Sequence, residues 1–327
     1  MTTKGSGNRM GDVFRSIVVP LDGSAFSLQA LPAALGLAGP AQAAVHLVYV
    51  HEPPVSPVAL PWEPVLEPHI ASVLVAGMDR YLRELADRIR ARRRLDVSAT
   101  IRYGRVAEAI AGYAREAGAN LIVLTTHGRG GLSRLWLGSV ADELLWIADI
   151  PVLAVRPARR SQGLGRERRF RHVLAPLDGS DLAEQALAPA VVTARLAKAR
   201  VTLLRVVTPH LAIARPAPVT RLDRADLVRQ RREAEDYLRG VAERLRQEGV
   251  PVTTRVVASG DPARAILRSA AAGRADVIAM ATHARGRLGR FLRGSVCDKV
   301  LRGASRTAVL LTRPRVAESE STRLARS

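Results

Sequence analysis

The chain repeats itself, and this repeat limits its architecture more than any other feature of the sequence. The segment IVVPLDGS, residues 17–24, recurs as VLAPLDGS at residues 173–180, an offset of 156 residues. The same offset places LIVLTTHG, residues 121–128, on VIAMATHA, residues 277–284, and it relates three further pairs of segments. Chance does not produce one ungapped offset over five segments, so we predict two copies of one unit, each about the size of a domain.

Each unit alternates short apolar runs with amphipathic segments, which is typical of strands and helices that build a parallel sheet. In the first unit we predict strands at residues 16–20, 44–50, 98–103, 121–124 and 152–155, and helices at residues 24–38, 69–94, 106–117 and 139–148. Pro32 and Pro189 fall inside the first helix of their units and are predicted to bend it. The predicted fold class is α/β, with two repeats of an open, five-stranded, Rossmann-like parallel sheet that has helices on both faces.

Composition marks the boundaries of the two units. A proline-rich stretch at residues 51–68 argues against regular structure there. The polar segment ARRSQGLGRERR, residues 158–169, holds two glycines and is predicted to be a flexible linker. We therefore predict a first domain at residues 1–157, a second at residues 170–315, and a disordered tail at residues 316–327.

The net charge of +20 raises the question of nucleic-acid binding. However, the basic residues are almost all arginines spread along the chain, with lysine only at Lys4, Lys198 and Lys299. Such a distribution is typical of a compositional bias of the genome. Aromatic residues make up 4% of the chain, too few for a base-stacking platform, and no nucleic-acid-binding motif is present. We expect no specific nucleic-acid partner.

The cysteine count and the apolar runs exclude several classes of protein. Cys297 is the only cysteine, so neither an internal disulfide nor a multi-cysteine metal site can form. The first residues lack the apolar core of a signal peptide, and no window has the roughly 18 to 20 apolar residues that a membrane span needs. We expect a soluble, cytoplasmic protein without a protein-ligated metal and without a membrane partner.

A glycine-rich loop follows the fourth predicted strand of the first unit, in LTTHGRGGLSRLWLGSVADEL at residues 124–144. Such a loop either turns a corner or brings backbone N–H groups close to an anion. In open α/β sheets, ligands bind beyond the carboxyl ends of the strands, where this loop meets Asp22 and Val50. A helix that begins near Ser139 adds the positive end of its dipole, and Arg129 adds charge. These features fit a mononucleotide whose phosphates lie on the loop.

Motifs of other phosphate-binding and catalytic proteins are absent. The chain has no G-x-x-x-x-G-K-[ST] loop, no G-x-G-x-x-G, no G-x-S-x-G elbow and no H-E-x-x-H. His127 and His283 lie in the loops without a nucleophile or metal partner nearby in the sequence, which favours structural hydrogen bonds. We predict no catalytic residues.

The repeated motifs IVVPLDGS, LIVLTTHGRGGLSRLWLGSVADELL and PVLAVRP resemble those of universal stress proteins. Nearly all of the chain, from about residue 15 to residue 314, resembles two such domains in tandem. The resemblance implies an adenine nucleotide alpha hydrolase-like fold. It also implies that the last strands of the two units pair antiparallel, which makes the chain an internal pseudo-dimer and leaves a further homodimer open.

ATP-binding members of that family carry G-x2-G-x9-G-[S/T]. The first unit fits it as Thr125-x2-Gly128-x9-Gly138-Ser139, with Thr125 in place of the first glycine. The second unit has alanines at both leading positions, Ala281 and Ala284, before Gly294-Ser295. A Cβ at those positions limits backbone approach, so we predict a weaker second site.

The resemblance places adenine and ribose near the first and second strands and the phosphates on the loop. The implied nucleotide contacts are Pro20, Leu21, Asp22, Val50, Thr125, His127, Gly128, Arg129, Gly138, Ser139 and Val140 in the first unit, and Asp178, Val206, His283, Arg285, Gly294 and Ser295 in the second. Several of these have an alternative role. The aspartates can fix a turn, the arginines can be plain surface charge, and the pattern Ser139-x-x-Asp142 can form a capping box that only starts a helix.

The resemblance implies a stress-response protein that binds ATP, with or without Mg²⁺, and acts as a regulatory nucleotide binder through a protein partner that the sequence does not name. Two alternatives stay open: an interaction scaffold of the same family that binds no nucleotide, and a slow ATP hydrolase or nucleotide transferase.

Overall fold

The computed structural model describes residues 14–52, 68–126, 138–157, 167–209, 221–282 and 296–313. The first unit contains the strands β1 Ser16–Pro20, β2 Ala44–His51, β3 Val97–Tyr103, β4 Leu121–Thr125 and β5 Val152–Val155 and the helices α1 Leu31–Ala41, α2 Pro68–Arg93, α3 Val106–Glu116 and α4 Ser139–Ile147. The second unit contains the strands β6 His172–Pro176, β7 Arg200–Val207, β8 Val252–Ala258, β9 Val277–Ala281 and β10 Ala308–Thr312 and the helices α5 Asp181–Glu184, α6 Leu187–Ala197, α7 Arg221–Gln247, α8 Pro262–Gly273 and α9 Val296–Gly303.

All ten strands belong to one sheet, in the order β3-β2-β1-β4-β5-β10-β9-β6-β7-β8. Strands within a unit are parallel, whereas β5 and β10 pair antiparallel, with Leu153 opposite Leu310. The predicted α/β fold and the predicted pairing of the last strands are both confirmed. The antiparallel pairing has a further consequence: the carboxyl ends of the strands point in opposite directions in the two units.

Hydrophobic side chains cover both faces of the sheet, which is why its strands are apolar almost throughout. Along β1, Ile17 and Val19 pack on one face and Val18 packs on the other, and all three are fully buried. Each of the two core layers contains residues of both units, so the layers continue across the β5–β10 pair. The two repeats therefore share their cores.

Side chains and backbone groups also cross between the units. The Arg156 guanidinium donates hydrogen bonds to the backbone carbonyls of Leu301, at 3.0 Å, and Arg302, in the last turn of α9. Those carbonyls lack partners inside the helix, so the contact caps α9 from the opposite unit. Arg313 lies 3.8 Å from Asp149 across the same junction.

The first helix of each unit differs from the prediction. A 3₁₀ turn at Ser27–Ala30 precedes α1, and Pro32 is the second residue of α1 rather than a bend inside a longer helix. In the second unit the short α5 ends before α6, and Pro189 is the third residue of α6. Proline costs no hydrogen bond in a first turn, because its missing N–H has no partner there. The prediction of one bent helix is wrong, since each proline marks a new start.

The offset between the units is not constant between the second helix and the third. Val45 pairs with Val97 in the first unit, but its counterpart Val201 pairs with Val252, so the offset at β3 and β8 is 155 residues. The second unit is one residue shorter before β8 and one residue longer after it, and the offset returns to 156 where α8 begins at Pro262. The five repeated segments lie outside this stretch.

The described end of the predicted linker is packed on the first unit. Glu167 forms an ion pair with Arg93 at the end of α2. The Arg168 N–H donates a 2.9 Å hydrogen bond to the carbonyl of Pro32 in α1. A Cβ added at Gly36 would lie 2.5 Å from the Arg168 carbonyl oxygen, so the glycine permits this close approach. This end of the linker is held rather than free.

A histidine joins strands near the amino end of each half-sheet, half-buried in the first unit and buried in the second. His46 on β2 lies 3.1 Å from the hydroxyl of Ser16 on β1, whereas His172 on β6 lies 2.8 Å from the hydroxyl of Thr202 on β7. Both units thus make a contact between a histidine and a hydroxyl. The histidine is on the second strand of the first unit but on the first strand of the second unit. Burial lowers the pKa of both histidines, which favours the neutral imidazole.

Among the helices that the structure describes, none has the length and apolar composition that crossing a lipid bilayer requires.

The packing of Arg168 on α1 predicts opposite effects of alanine at two helical glycines, Gly36 in α1 and Gly77 in α2. Gly36→Ala is expected to lower the free energy of unfolding by about 1–2 kcal/mol, because overpacking against backbone outweighs the better helix propensity of alanine. Gly77→Ala in α2 is the control, because Gly77 is exposed in a helix interior and a Cβ there meets nothing within 4 Å, and it is expected to stabilise by about 0.5–1 kcal/mol. Urea unfolding of both variants checks this. Equal stability of the two would show that the segment does not pack there.

Candidate functional site

The order of the strands creates a crevice at the carboxyl end of β1. This strand pairs with β2 on one side and with β4 on the other. The strand order therefore reverses at β1: β2 and β3 lie on one side of it, and β4 and β5 lie on the other. Ligands of open α/β sheets bind at such a switch point. The segments that follow β1 and β4 border this crevice, and both contain residues that the sequence predicts as nucleotide contacts.

The turn after β1 is built around Asp22. Its Oδ1 accepts hydrogen bonds from the Ser24 N–H, at 2.9 Å, and from the Ser24 hydroxyl, at 2.6 Å. Gly23 between them has a φ of 78°, a left-handed conformation that glycine adopts without strain. The turn repeats in the second unit, where Asp178 accepts from Ser180 with the same two distances. Both aspartates therefore do fix a turn, and the turn holds their carboxylates at the crevice edge.

The neighbouring predicted contacts differ in what they offer a ligand. Leu21 is 3% exposed and packs in the core, and its N–H donates to the Val48 carbonyl at 2.8 Å. Its nucleotide contact stays a prediction. Pro20 is half-buried at the end of β1, paired with Val48. Val50 on β2 and Val206 on β7 are half-buried against the core layer that contains Val48. They present a small apolar surface near the carboxyl ends of their strands.

The loop after β4 has both of its described ends fixed to the sheet. Thr125 is the last residue of β4, and the Thr126 N–H donates to the Val155 carbonyl at 3.0 Å. The Gly138 N–H then donates to the Thr126 carbonyl at 2.8 Å, which closes the loop. The start of α4 is therefore held directly beside the end of β4. The predicted contacts His127, Gly128 and Arg129 lie outside the described residues.

Gly138, not Ser139, is the N-cap of α4. Ser139 is the first residue of the helix and is exposed, and the Asp142 N–H donates to the Gly138 carbonyl at 2.9 Å. The alternative role of Ser139 and Asp142 as a capping box is therefore wrong, because Ser139 lies one residue beyond the N-cap position. A glycine cap has no side chain to accept from the first-turn N–H groups. Among the described residues no side chain caps those groups, so they and the helix dipole can bind an anion, and Val140 is half-buried beside them.

The second unit places an arginine beneath the corresponding turn. Arg205 occupies the position of Tyr49, and its Nη1 atom would lie 2.6 Å from a Cβ at Gly179. That nitrogen is buried and has no hydrogen-bond partner among the described residues. Its guanidinium lies 5.8 Å from the Tyr237 ring, and burial together with a 2.9 Å hydrogen bond to Glu184 raises the pKa of Tyr237. The two turns therefore have the same backbone but different support.

The other second-unit contacts, His283, Arg285, Gly294 and Ser295, lie outside the described residues, as does Ala284. Ala281 ends β9, and the Thr282 N–H donates to the Thr312 carbonyl at 2.9 Å, which repeats the contact of Thr126. Because the two half-sheets run in opposite directions, the two crevices open at opposite edges of the sheet and cannot share a ligand.

The structure adds residues at the first crevice edge that sequence analysis did not assign to the site. Gly104 follows β3 with a φ of 115°, and its N–H donates to the His51 carbonyl at 3.1 Å. Arg105 pairs with Glu108 of α3 at 2.7 Å and with Glu143 of α4 at 3.0 Å, which ties the two helices together. The glycine after a strand was a signal for the turn, but nothing in the spacing of residues 105 and 143 predicts their contact.

Metal and thiol chemistry find no support in the described part of the chain. No group of three or more His, Cys, Asp or Glu side chains there is placed to hold a metal ion. Burial raises the pKa of the Cys297 thiol to about 12, so the thiol stays protonated and unreactive at neutral pH.

Comparison with known proteins identifies relatives for both units. The sequence model of the universal stress protein family matches residues 14–156 and residues 169–313. A universal stress protein of Methanocaldococcus jannaschii is 32% identical over 150 residues, which cover 46% of this chain and 86% of that protein. One of Mycobacterium tuberculosis is 34% identical over 200 residues, which cover 60% of this chain and 62% of that protein.

The fold has a counterpart among solved structures. The crystal structure of a universal stress protein from Archaeoglobus fulgidus superposes with a TM-score of 0.66 and 19% identity, and the alignment covers 92% of this chain and 98% of that one. The two matches to the family model and the shared architecture agree with the internal repeat. The chain therefore belongs to the universal stress protein family, with two such domains in tandem.

Proposed function

We propose that the first unit binds an adenine nucleotide, ATP, and that the protein acts as a cytoplasmic, regulatory nucleotide binder in a stress response. The observation that carries this proposal is the arrangement around Gly138. A side-chain-free N-cap stands at the switch point of the sheet, and hydrogen bonds hold both ends of the loop. Helix N-termini placed in this way bind phosphate groups through their N–H groups and dipole.

The remaining parts of a nucleotide fit the same crevice. The family resemblance puts adenine and ribose at Asp22 and Val50, where a carboxylate stands beside a half-buried apolar surface. A carboxylate at that position can accept hydrogen bonds from ribose hydroxyls. Mg²⁺, if it accompanies ATP, would be held by the phosphates and water, in the way this ion is commonly bound. The predicted contacts with Gly128 and Arg129 are part of the same proposal.

The second unit is proposed to bind nucleotide more weakly or not at all. Two alanines replace glycines of the family pattern there, and Arg205 packs against the turn of Asp178. With sites at opposite edges of one sheet, the chain acts as an internal pseudo-dimer in which only one site is loaded. The scaffold and the slow hydrolase are the alternatives that the experiments below address.

Gly138→Asp separates binding from folding. The backbone at this residue has φ −62° and ψ 146°, which any residue adopts, and aspartate is a favoured N-cap. The variant is therefore expected to be as stable as the parent or slightly more stable. Its carboxylate would occupy the first-turn N–H groups and repel phosphate, so the Kd for ATP, measured by calorimetry, is expected to rise at least 10-fold.

Gly294→Asp, the counterpart by sequence in the second unit, is the control and is expected to change the Kd for ATP by less than twofold. A stable Gly138→Asp protein that binds ATP like the parent would contradict the proposed phosphate position. A parent that binds no adenine nucleotide would favour the scaffold.

Asp22→Asn and Asp178→Asn test the ribose contact as a matched pair. In each variant the amide oxygen can still accept from the serine N–H, so the loss of stability is expected to stay below about 1 kcal/mol. Asp22→Asn is expected to raise the Kd for ATP at least fivefold, because a charged acceptor is lost, whereas Asp178→Asn is not. Equal ATP affinity in both variants would show that Asp22 only stabilises its turn and does not contact the ribose.

A further inference from the structure

A basic groove lies at the outer edge of the second unit, between α7 and the edge strand β8. It has a volume of about 430 Å³ and is lined by Arg231, Glu235, Arg239 and Arg246 of α7 and by residues 254–256 of β8, Arg255 among them. The groove is formed with the edge strand β8, whereas the crevice of the second unit lies at the carboxyl ends of β6 and β9, on the other side of β7. It is therefore a separate feature from the proposed nucleotide sites.

Three of the arginines form one stripe along α7. Arg231, Arg239 and Arg246 are spaced by eight and seven residues, which returns each of them to the same side of a helix. At a rise of about 1.5 Å per residue, the stripe is about 22 Å long. The positive charge is thus spread along the groove instead of being gathered at one point.

Carboxylates balance only part of this charge. Arg231 pairs with Glu235 at 3.0 Å, and Arg239 pairs with Asp236 at 2.7 Å. Arg246 donates instead to the neutral carbonyl of Val252, at 3.0 Å. This bond ties its guanidinium to the start of β8 and leaves its charge unbalanced.

Arg255 adds a second unbalanced charge. Across the ranges that the structure describes, neither Arg246 nor Arg255 has an ion-pair partner. Two guanidinium groups therefore remain for an external anion, and the arginines paired with Glu235 and Asp236 stand beside them.

The first unit has the same helix and strand, but its described residues differ at the positions that line the groove. Val75 and Thr100 stand where the second unit has Arg231 and Arg255. The two arginines that are retained, Arg83 and Arg90, each pair with a carboxylate at 2.9 Å, Asp79 and Asp87. A general excess of arginine would affect both units alike. The additional, unpaired arginines of the groove are therefore a feature of the second unit and do not follow from the composition of the chain.

We propose that the basic groove binds a linear oligophosphate anion. Guanidinium groups match phosphate oxygens with paired, charge-assisted hydrogen bonds. The groove has the volume of a small-molecule site, but its lining is charged, which selects a charged ligand over an apolar one. An anion with several charged groups in a row meets a stripe of arginines at more points than a single phosphate does.

Titration with inorganic tripolyphosphate tests the proposal. The full chain carrying Gly138→Asp is used, so that the proposed ATP site is blocked and failure of one proposal is distinguishable from failure of the other. In that background, Arg239→Gln with Arg246→Gln is compared with Arg83→Gln and Arg90→Gln. Both pairs remove two positive charges from equivalent helix positions. The groove pair is expected to raise the Kd at least 10-fold, and the control pair less than twofold.

Arg255→Gln is the second variant, because Arg255 is exposed and its replacement leaves the Arg246–Val252 contact intact. It is expected to raise the Kd at least threefold without changing Tm. Absence of saturable tripolyphosphate binding, or equal weakening by the groove and control pairs, would overturn the proposal. Binding to phosphatidylglycerol vesicles without tripolyphosphate binding would also overturn it, because the ligand would then be a lipid surface.

Discussion

The antiparallel pairing of β5 with β10 is the contact on which the rest of the structure depends. Each unit alone would leave its last strand as an open edge, with unpaired N–H and C=O groups exposed. Pairing those two edges joins the half-sheets into one sheet of ten strands and continues both core layers across the junction. Arg156 strengthens the junction by capping α9 from the other unit. The same pairing turns the half-sheets in opposite directions, so each unit has its own ligand crevice.

A common backbone therefore carries two different sets of side chains. Asp22 and Asp178 make the same turn, yet Arg205 packs against the turn of the second unit, whereas Tyr49 stands at that position in the first unit. The outer helices also differ in charge. In the second unit α7 and β8 line a basic groove, whereas in the first unit the equivalent arginines of α2 are paired with aspartates. We infer that the units have divided their roles, with a nucleotide bound by the first and a different phosphate anion bound at the edge of the second.

Much of the fold could be predicted because parallel strands that are buried on both faces have sequences that are apolar almost throughout. The five predicted strands of the first unit agree with the structure to within one residue at each end. Errors arose where a local pattern has two geometric solutions. Proline can bend a helix or begin one, and Ser139-x-x-Asp142 fits a capping box unless the preceding Gly138 already caps the helix. The contacts of Arg105 with Glu143 and of Arg246 with Val252 depend on how helices pack, which no sequence spacing specifies.

The central claim is that the first unit binds an adenine nucleotide and the second contributes little. Calorimetric titration of the purified chain with ATP and Mg²⁺, after removal of any co-purified nucleotide, tests it most directly. The account predicts saturation at one nucleotide per chain. Saturation at two nucleotides per chain would show that Ala281, Ala284 and Arg205 do not impair the second site. Absence of binding would contradict the account and favour the alternative that the protein is an interaction scaffold.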